Sequence, residues 1–178
     1  MLLRYNIHMD FSKNLYDFAF EYATEGVFQS TPEGRFLYVN KAMAQIFGYE
    51  SADEMIRKIE NIGAQIHASA ESRERFIRLL DEQGTVENFE ARNLQKNGGK
   101  IWTQTNARVV RDEKGKVLYY FGFVRDITLQ KMAEQARDES EIRYRSLVEQ
   151  LPAAVYIDAP TDNLDSGIYI SPQIEKIS

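Results

Sequence analysis

The sequence predicts an α+β fold: one five-stranded antiparallel sheet with short helices packed on one face. Three observations predict it. Two strand-like segments near the start flank a tight turn at "TPEG". Three longer strand-like segments follow one another later, joined by Gly-bearing turns. Between the two groups, apolar residues recur at helical rather than strand spacing. Two strands, then helices, then a three-strand meander can close into a single sheet.

Each element carries its own signals. Residues 11–24, "FSKNLYDFAFEYAT", read as a helix capped by Ser12 or Asn14, with Leu15, Phe18, Ala19 and Tyr22 on one face. "GVFQS" and "RFLYVN" are strands, and Pro32 and Gly34 suit the turn between them. "NKAMAQIFGY" is a short helix: Asn40 caps it, Met43, Ile46 and Phe47 face inward, and Gly48 stops it. "SADEMIRKI" is a second, with Ser51 and Glu54 spaced as a capping box. "SAESRERFIRLLDEQG" is a third and longer helix, with Phe76, Leu79 and Leu80 on its apolar face and Gly84 as its stop. The strands "TVENFEARNLQ", "KIWTQTNARVV" and "KVLYYFGFVRDI" follow, turning at "KNGG" and "RDEKGK". Past Thr128 there is no Gly or Pro until Pro152, so residues 129–151 read as one long helix. Leu129, Ala133, Ala136, Ser140, Tyr144, Leu147 and Leu151 come close to a heptad seam. That pattern suits either a solvated linker helix or half of a two-helix coiled coil in a dimer.

Composition excludes several classes of function. Hydrophobic residues make up 43% and charged residues 28%, as in soluble globular chains. A net charge of -5 argues against a nucleic-acid-binding surface. With no cysteine there are no disulfides, thiolate metal sites or thiol chemistry. His8 and His67 are too few for a histidine-based metal site. The opening "MLLRYNIHMDFSKN" lacks the apolar core of a signal peptide, and no run of 18 apolar residues occurs. The chain is therefore expected to be cytoplasmic, with no membrane contact of its own. "KNGGK" has neither the spacing nor the following helix of a phosphate loop. The carboxylates Asp53/Glu54, Glu71/Glu74 and Asp138/Glu139/Glu141 fall on polar helix faces, and no nucleophile–base pair is suggested. A non-catalytic chain is expected.

The sequence also repeats itself. "YDFAFEYATEGVFQS" (16–30) matches "YRSLVEQLPAAVYID" (144–158) at an offset of 128, through Tyr16/Tyr144, Glu21/Glu149, Val27/Val155 and Phe28/Tyr156. "YVNKAMAQI" (38–46) resembles "YISPQIEKI" (169–177) at an offset of 131. Such self-similarity suggests tandem domains. The expected organisation is an N-terminal extension and helix (1–24), a complete domain (25–128), a linker helix (129–151) and the truncated start of a second domain (152–178). Residues after about 158 are expected to lack a packed core of their own.

These segments together resemble the PAS sensor family. Its opening is seen in "EGVFQSTPEGRFLYVNKAMAQIFGY" and its close in "ENFEARNLQKNGGKIWTQTNARVVRDEKGKVLYYFGFVRDIT". Trp102, the Gly98 turn, Gly122 and Asp126-Ile127-Thr128 sit where the family pattern puts them, and a second opening resumes at Tyr144. The resemblance implies the PAS fold, and a tandem PAS input region of a bacterial signalling protein, such as a sensor histidine kinase of a two-component system or a diguanylate cyclase. A homodimer through the N-terminal and linker helices is expected; the helix over 11–24 either covers the outer sheet face or pairs with its copy, and alternation puts Phe121 and Phe123 on that face, opposite Gly122 and Val124. Asp126, Ile127 and Thr128 would relay a signal from the last strand, Asp126 by capping the linker helix.

The resemblance leaves the cofactor unknown but narrows it. Family positions for flavin-binding amides match Asn93, Thr103 and Val124, and only Asn93 is an amide, which argues against flavin. Without cysteine no thiol-linked chromophore can form. The position of the haem-ligating histidine holds Phe76, which has no lone pair for iron. His67, in "QIHASAESRERF", resembles the family's His-Pro-Asp-Asp-Arg stretch with Ala68 in place of Pro, and reads as a loop or capping histidine. The candidates for an internal small-molecule pocket are Phe28, Met43, Phe47, Phe76, Leu80, Phe89, Asn93, Thr103, Thr105 and Val124. They serve equally as a filled core. Asn93, Thr103 and Thr105 make the case for a ligand, since inward-facing polar groups need partners. The alternatives to a ligand sensor are a ligand-free dimerisation module and the input domain of a DNA-binding regulator.

Overall fold

The structure, a computed structural model, describes Phe18, residues 20–150 and the short strands at 156–157 and 169–170. Most of the helix expected over 11–24 and most of the chain after 158 lie outside the described residues; Phe18, Phe20 and Glu21 are helical. The chain divides into two units, residues 1–128 and 129–178.

In the first unit, β1 (Gly26–Ser30) and β2 (Phe36–Val39) form a hairpin. Four helices follow: α1 (Lys41–Ile46), α2 (Ala52–Lys58), α3 (Ile62–Gln65) and α4 (Ala70–Gln83). The meander of β3 (Thr85–Leu94), β4 (Lys100–Arg111) and β5 (Val117–Asp126) completes the unit. The sheet order is β2-β1-β5-β4-β3, antiparallel throughout. The first hairpin thus joins the meander along β5, and the helical segment spans the sheet between its outer strands. The helix α5 (Thr128–Gln150) follows β5 directly.

Helix boundaries follow local chemistry. Asn40, Ser51, Asn61 and Ser69 each accept the N–H three residues on, at Met43, Glu54, Ala64 and Ser72. Gly48 and Gly84, at φ 77° and 73°, end the helices α1 and α4 in the left-handed region that glycine tolerates. Two expectations are corrected. The helical segment holds a fourth helix, α3, whose four residues are too few to show a periodicity. The capping box at Ser51 is displaced by one residue: the Glu54 carboxylate accepts from Glu50 N (2.8 Å), not from Ser51. The same carboxylate binds Lys58 and, in the β3–β4 turn, Lys96 (2.7 Å), and these bonds pull its pKa down to about 2.

The core lies between the inner sheet face and the helices, with Phe28, Met43, Phe47, Met55, Phe76 and Leu80 at its centre. Alternation sets that face. On β4, Ile101, Thr103, Thr105 and Ala107 are buried; on β5, Tyr120, Gly122 and Val124 are buried while Phe123 is exposed. Gly122 sits between Phe28 and Ala107 in the register. A Cβ there would lie 2.6 Å from the Asn106 carbonyl and 2.8 Å from the Phe28 ring, so only glycine lets that ring lie across β5.

Asn40 does more than cap α1. It is fully buried. Its Oδ1 accepts from Val27 N and Met43 N (both 2.9 Å), and its Nδ2 donates to Phe20 O (2.9 Å) and Glu25 O (3.0 Å). Every bonding position of the amide is used. One side chain thereby ties β1, α1 and the segment entering the sheet.

In the second unit, β6 (Tyr156–Ile157) pairs antiparallel with β7 (Tyr169–Ile170), Tyr156 opposite Ile170 and Ile157 opposite Tyr169. In β1–β2 the partners are Phe28/Val39 and Gln29/Tyr38. The offsets of 128 and 131 map the second set of pairs onto the first, residue for residue.

Asn40→Ala removes a cap and orphans buried backbone groups, so it should lower stability by about 2–4 kcal/mol in urea unfolding. Asn40→Asp should also destabilise, because its carboxylate would face the Phe20 and Glu25 carbonyls. A wild-type urea midpoint for Asn40→Ala would refute the reading.

Candidate functional site

The inner sheet face and α4 enclose a cavity of about 40 Å³. Its apolar wall comes from Phe28, Phe36, Met43, Phe47, Ile62, Ile66, Phe76, Phe89, Ala91 and Val124. Its polar lining is Ser30, His67, Arg73, Asn93 and Thr105. Eight of the ten sequence candidates line it. The other two do not: Leu80 is fully buried elsewhere in the core, and Thr103 lies behind Asn93. At about 10–15 Å³ per water, the cavity has room for about three waters. Pockets for larger organic ligands run to about 300–1,000 Å³. Most of the interior is therefore filled by side chains.

Its polar groups are incompletely partnered. Asn93, 5% exposed, donates from Nδ2 to Thr103 Oγ1 at 2.8 Å. Its Oδ1 and the Nδ1 of His67 are buried without a hydrogen-bond partner among the described residues. Sequence reading gives His67 as a loop or capping histidine and does not count it among the pocket candidates. The structure brings it to the cavity because the 66–68 segment adds to the edge of β3: Leu94 N donates to Ile66 O (2.7 Å), Ala68 N donates to Arg92 O (3.1 Å), and His67 and Asn93 form a bridge.

Sequence reading also misses Ser30, Phe36, Ile62, Ile66 and Ala91, and the charged residue of the lining, Arg73. It stands on α4 four residues past the Ser69 cap. Its stem runs against Gly63, where a Cβ would sit 3.2 Å from Arg73 Cγ, and its guanidinium reaches towards Gly34. The guanidinium lies 5.9 Å from the Phe76 ring centroid. Among the described residues it has no carboxylate partner and no side-chain hydrogen bond. On an amphipathic helix an arginine reads as solvated; only the fold of 62–67 over it half-buries this one.

Burial first, and then the charge of Arg73, pull the pKa of His67 down to about 4. The ring is neutral at pH 7. Burial also lowers the pKa of Arg73, which stays charged.

At the exit of β5, Ile127 is buried, and its N–H donates to Trp102 O at 2.9 Å. Trp102 N donates to Thr128 Oγ1 at 2.9 Å. Asp126 Oδ1 accepts from Thr128 N at 2.8 Å. Because α5 starts at Thr128, Asp126 stands one position before the cap. It closes an Asx turn on the first helical N–H, not the second- or third-residue bond of an N-cap. On α5, Leu129, Tyr144 and Leu147 of the heptad-like seam are exposed in the single chain. Phe121 and Phe123 stack edge to face at 5.3 Å, with Phe123 exposed on the outer sheet face. No group of acidic and histidine side chains that could hold a metal occurs among the described residues. No helix among them is long and apolar enough to cross a membrane.

The depressed pKa of His67 has a definite sign in stability. The unfolded chain binds this proton near pH 6.5 and the folded chain only near 4. The stabilisation is complete above about 6.5 and is lost as pH falls towards 4. Between pH 7 and 4.5 the loss should reach about 2 kcal/mol. His67→Gln should remove that part of the acid sensitivity in urea titrations, and parallel pH profiles for the two proteins would contradict it.

Comparison with known proteins agrees with this geometry. Over 138 residues the chain is 23% identical to a probable diguanylate cyclase, DgcE, of Escherichia coli K12, covering 74% of this chain and 12% of that protein. The chain therefore spans about an eighth of that relative's length. A PAS domain from Colwellia psychrerythraea superposes with a TM-score of 0.57 at 22% identity, covering 66% of this chain and 98% of that one. A sensory box histidine kinase/response regulator from Burkholderia thailandensis gives 0.56 at 22% identity, covering 74% of this chain and 98% of that one. At such identities the likeness is one of fold. The PAS domain family pattern itself matches residues 24–129, more than half of the sequence, so the chain belongs to the PAS domain family.

Proposed function

We propose that this chain is a non-catalytic, cytoplasmic sensory and dimerisation module. It serves a bacterial signalling protein of the sensor histidine kinase or diguanylate cyclase type. The single observation that carries the proposal is a continuous bonded path from the cavity to the linker helix. Asn93 in the cavity binds Thr103, the neighbouring Trp102 binds both Ile127 and Thr128, and α5 begins at Thr128. No glycine or proline interrupts 123–128. A change in how Asn93 is held can therefore reach the first turn of α5 through rigid backbone rather than a flexible joint. The exposed apolar seam of α5 suits pairing with the same helix of a second copy. The matching registers of β6–β7 and β1–β2 support a tandem arrangement in which α5 links two like units. Residues 1–24 would form the N-terminal extension, 25–128 the first domain, 129–151 the linker and 152–178 the start of the second domain.

A second reading, a dimerisation module without a ligand, draws on the small size of the cavity. Hydrogen exchange separates the two. Thr103→Val deletes the Asn93 bond at nearly constant volume. In the relay reading it should speed exchange of the Ile127 and Thr128 amides selectively. If those amides change only as much as the rest of the sheet, the relay is wrong and the structural reading stands. Asp126→Ala removes the Asx-turn bond to Thr128 N, so it should cost about 0.5–1.5 kcal/mol and fray the first turn of α5. Unchanged stability together with unchanged exchange in that turn would remove Asp126 from the mechanism.

A further inference from the structure

The cavity has a neighbour on the surface. A groove of about 450 Å³ runs between α4 and β3, bordered by Arg75, Leu79 and Gln83 on the helix and by Val86, Asn88 and Phe89 on the strand. Phe89 is the one residue common to the two linings among the described residues. Its ring meets Phe76, a residue of the cavity wall, edge to face at 5.2 Å. The Arg75 guanidinium lies over the same ring, 5.6 Å from its centroid, and Arg75 is exposed. A single ring, 7% exposed, thus stands between a space for about three waters and a groove in the size range of organic ligands.

The walls of the cavity differ in how they are held. Beside His67 and Arg73, the 66–68 segment is bonded to β3 at both ends, Leu94 N donating to Ile66 O (2.7 Å) and Ala68 N to Arg92 O (3.1 Å). The Arg73 stem is packed against Gly63, Phe28 lies across Gly122, and Phe47 is fully buried. Phe89 has looser support. The β3–β4 register shifts between Val86 and Phe89, so the strand bulges just before the ring. Asn88, in that bulge, is the one non-glycine residue at positive φ (51°) among the described residues. Its N–H donates to the Asn106 side chain (2.6 Å) instead of to a ladder carbonyl. A strand tethered by a side chain yields more readily than a regular ladder. On its groove side the ring is held by one exposed guanidinium, a contact of modest strength.

We propose that Phe89 is the gate of the cavity: its ring swings into the groove between α4 and β3, and a small molecule passes from the groove to Asn93. The inference rests on the sensory reading of the cavity and adds how its contents exchange with solvent. Arg75 and Phe76, neighbours on α4, hold the ring closed. The groove gives the ring a place to go. No other aromatic residue of the cavity wall has this, because none of them borders the groove. Closed, the gate keeps the cavity small; open, it joins the cavity to a volume that an organic molecule can enter.

The test uses the absence of cysteine from the chain. Ala91→Cys places one thiol on the cavity wall, and Thr105→Cys serves in its place if that variant does not fold. Methyl methanethiosulfonate transfers a methylthio group to the thiolate and releases methanesulfinate. The labelling rate at fixed pH, followed by mass spectrometry, reads how often the cavity opens. Urea unfolding of each variant gives the part of that rate due to global unfolding. Beyond that part, Arg75→Met should speed labelling about two- to fivefold, the loss of one exposed cation–π contact. Phe89→Ala should speed it at least about tenfold, and Arg73→Met, which leaves the ring in place, should stay within about twofold. If Phe89→Ala does not fold, Phe89→Leu decides: faster labelling supports the gate and an unchanged rate overturns it. Labelling that follows global stability alone, or that Arg73→Met speeds as much as Phe89→Ala does, would also overturn it. Gated labelling in a chain whose Ile127 and Thr128 amides ignore Thr103→Val would support the gate and refute the relay. Ungated labelling in a chain whose junction still loosens in Thr103→Val would overturn the gate and leave the relay.

Discussion

The four hydrogen bonds of the buried Asn40 amide hold the rest of the domain in place. The first hairpin is short, and it joins the meander only along β5. Its other constraints come from the segment before it and the helix after it, and Asn40 binds both: Phe20 and Glu25 on one side, Met43 on the other, with Val27 of β1 between. An apolar residue could fill the same volume. It would leave the buried N–H groups of Val27 and Met43 without partners, which costs about 1–3 kcal/mol each, and would release the part-buried carbonyls of Phe20 and Glu25. With β1 fixed, Phe28 lies across Gly122, and the inner wall of the cavity follows.

The interior is a compromise between a filled core and a polar remnant. Large rings occupy most of the space between sheet and helices, which stabilises the fold through apolar burial. What stays open is small and bordered by side chains from distant parts of the chain. The 66–68 segment brings His67 to β3, α4 brings Arg73, and the inner face of β3 brings Asn93. Arg73 and His67 also act on each other. The guanidinium charge helps keep the imidazole neutral, so at neutral pH the site holds one positive charge and two polar atoms, His67 Nδ1 and Asn93 Oδ1, without a hydrogen-bond partner among the described residues. The same Asn93 is bonded to Thr103, next to Trp102, whose backbone clamps the exit of β5. Cavity and exit therefore share strand β4.

Much of this was legible in the residues, and the failures have physical causes. Caps at Asn40, Ser51 and Ser69 and stops at Gly48 and Gly84 act within a few residues, so local sequence reveals them. Hydrophobic alternation located the inward faces of β3, β4 and β5. Of the eight candidates that line the cavity, Met43, Phe47 and Phe76 belong to helices and face the core by helical spacing, and Phe28, Phe89, Asn93, Thr105 and Val124 belong to strands and face it by alternation. Helix α3 was missed because one turn cannot display a period. The Glu54 carboxylate was assigned to Ser51 when it binds Glu50, since spacing alone cannot tell which of two adjacent N–H groups a flexible side chain will choose. Leu80 and Thr103 were placed at the cavity because they are buried, but burial does not say which neighbours a side chain has.

What the sequence by itself determined is the order and type of the elements, the inward faces of the strands, and the absence of cysteine and with it of thiol chemistry. These are local or compositional properties, carried by periodicity, capping and residue identity. Only the tertiary structure decided that His67 and Arg73 belong to the cavity, that Asn40 bonds on both sides of β1, and that Thr128 closes onto Trp102. Each of these depends on a long-range strand pairing or a helix crossing that brings together residues far apart in the chain. His67 and Asn93 are 26 positions apart, as are Trp102 and Thr128. No periodicity encodes such a meeting, because the energy that fixes it comes from packing the whole sheet.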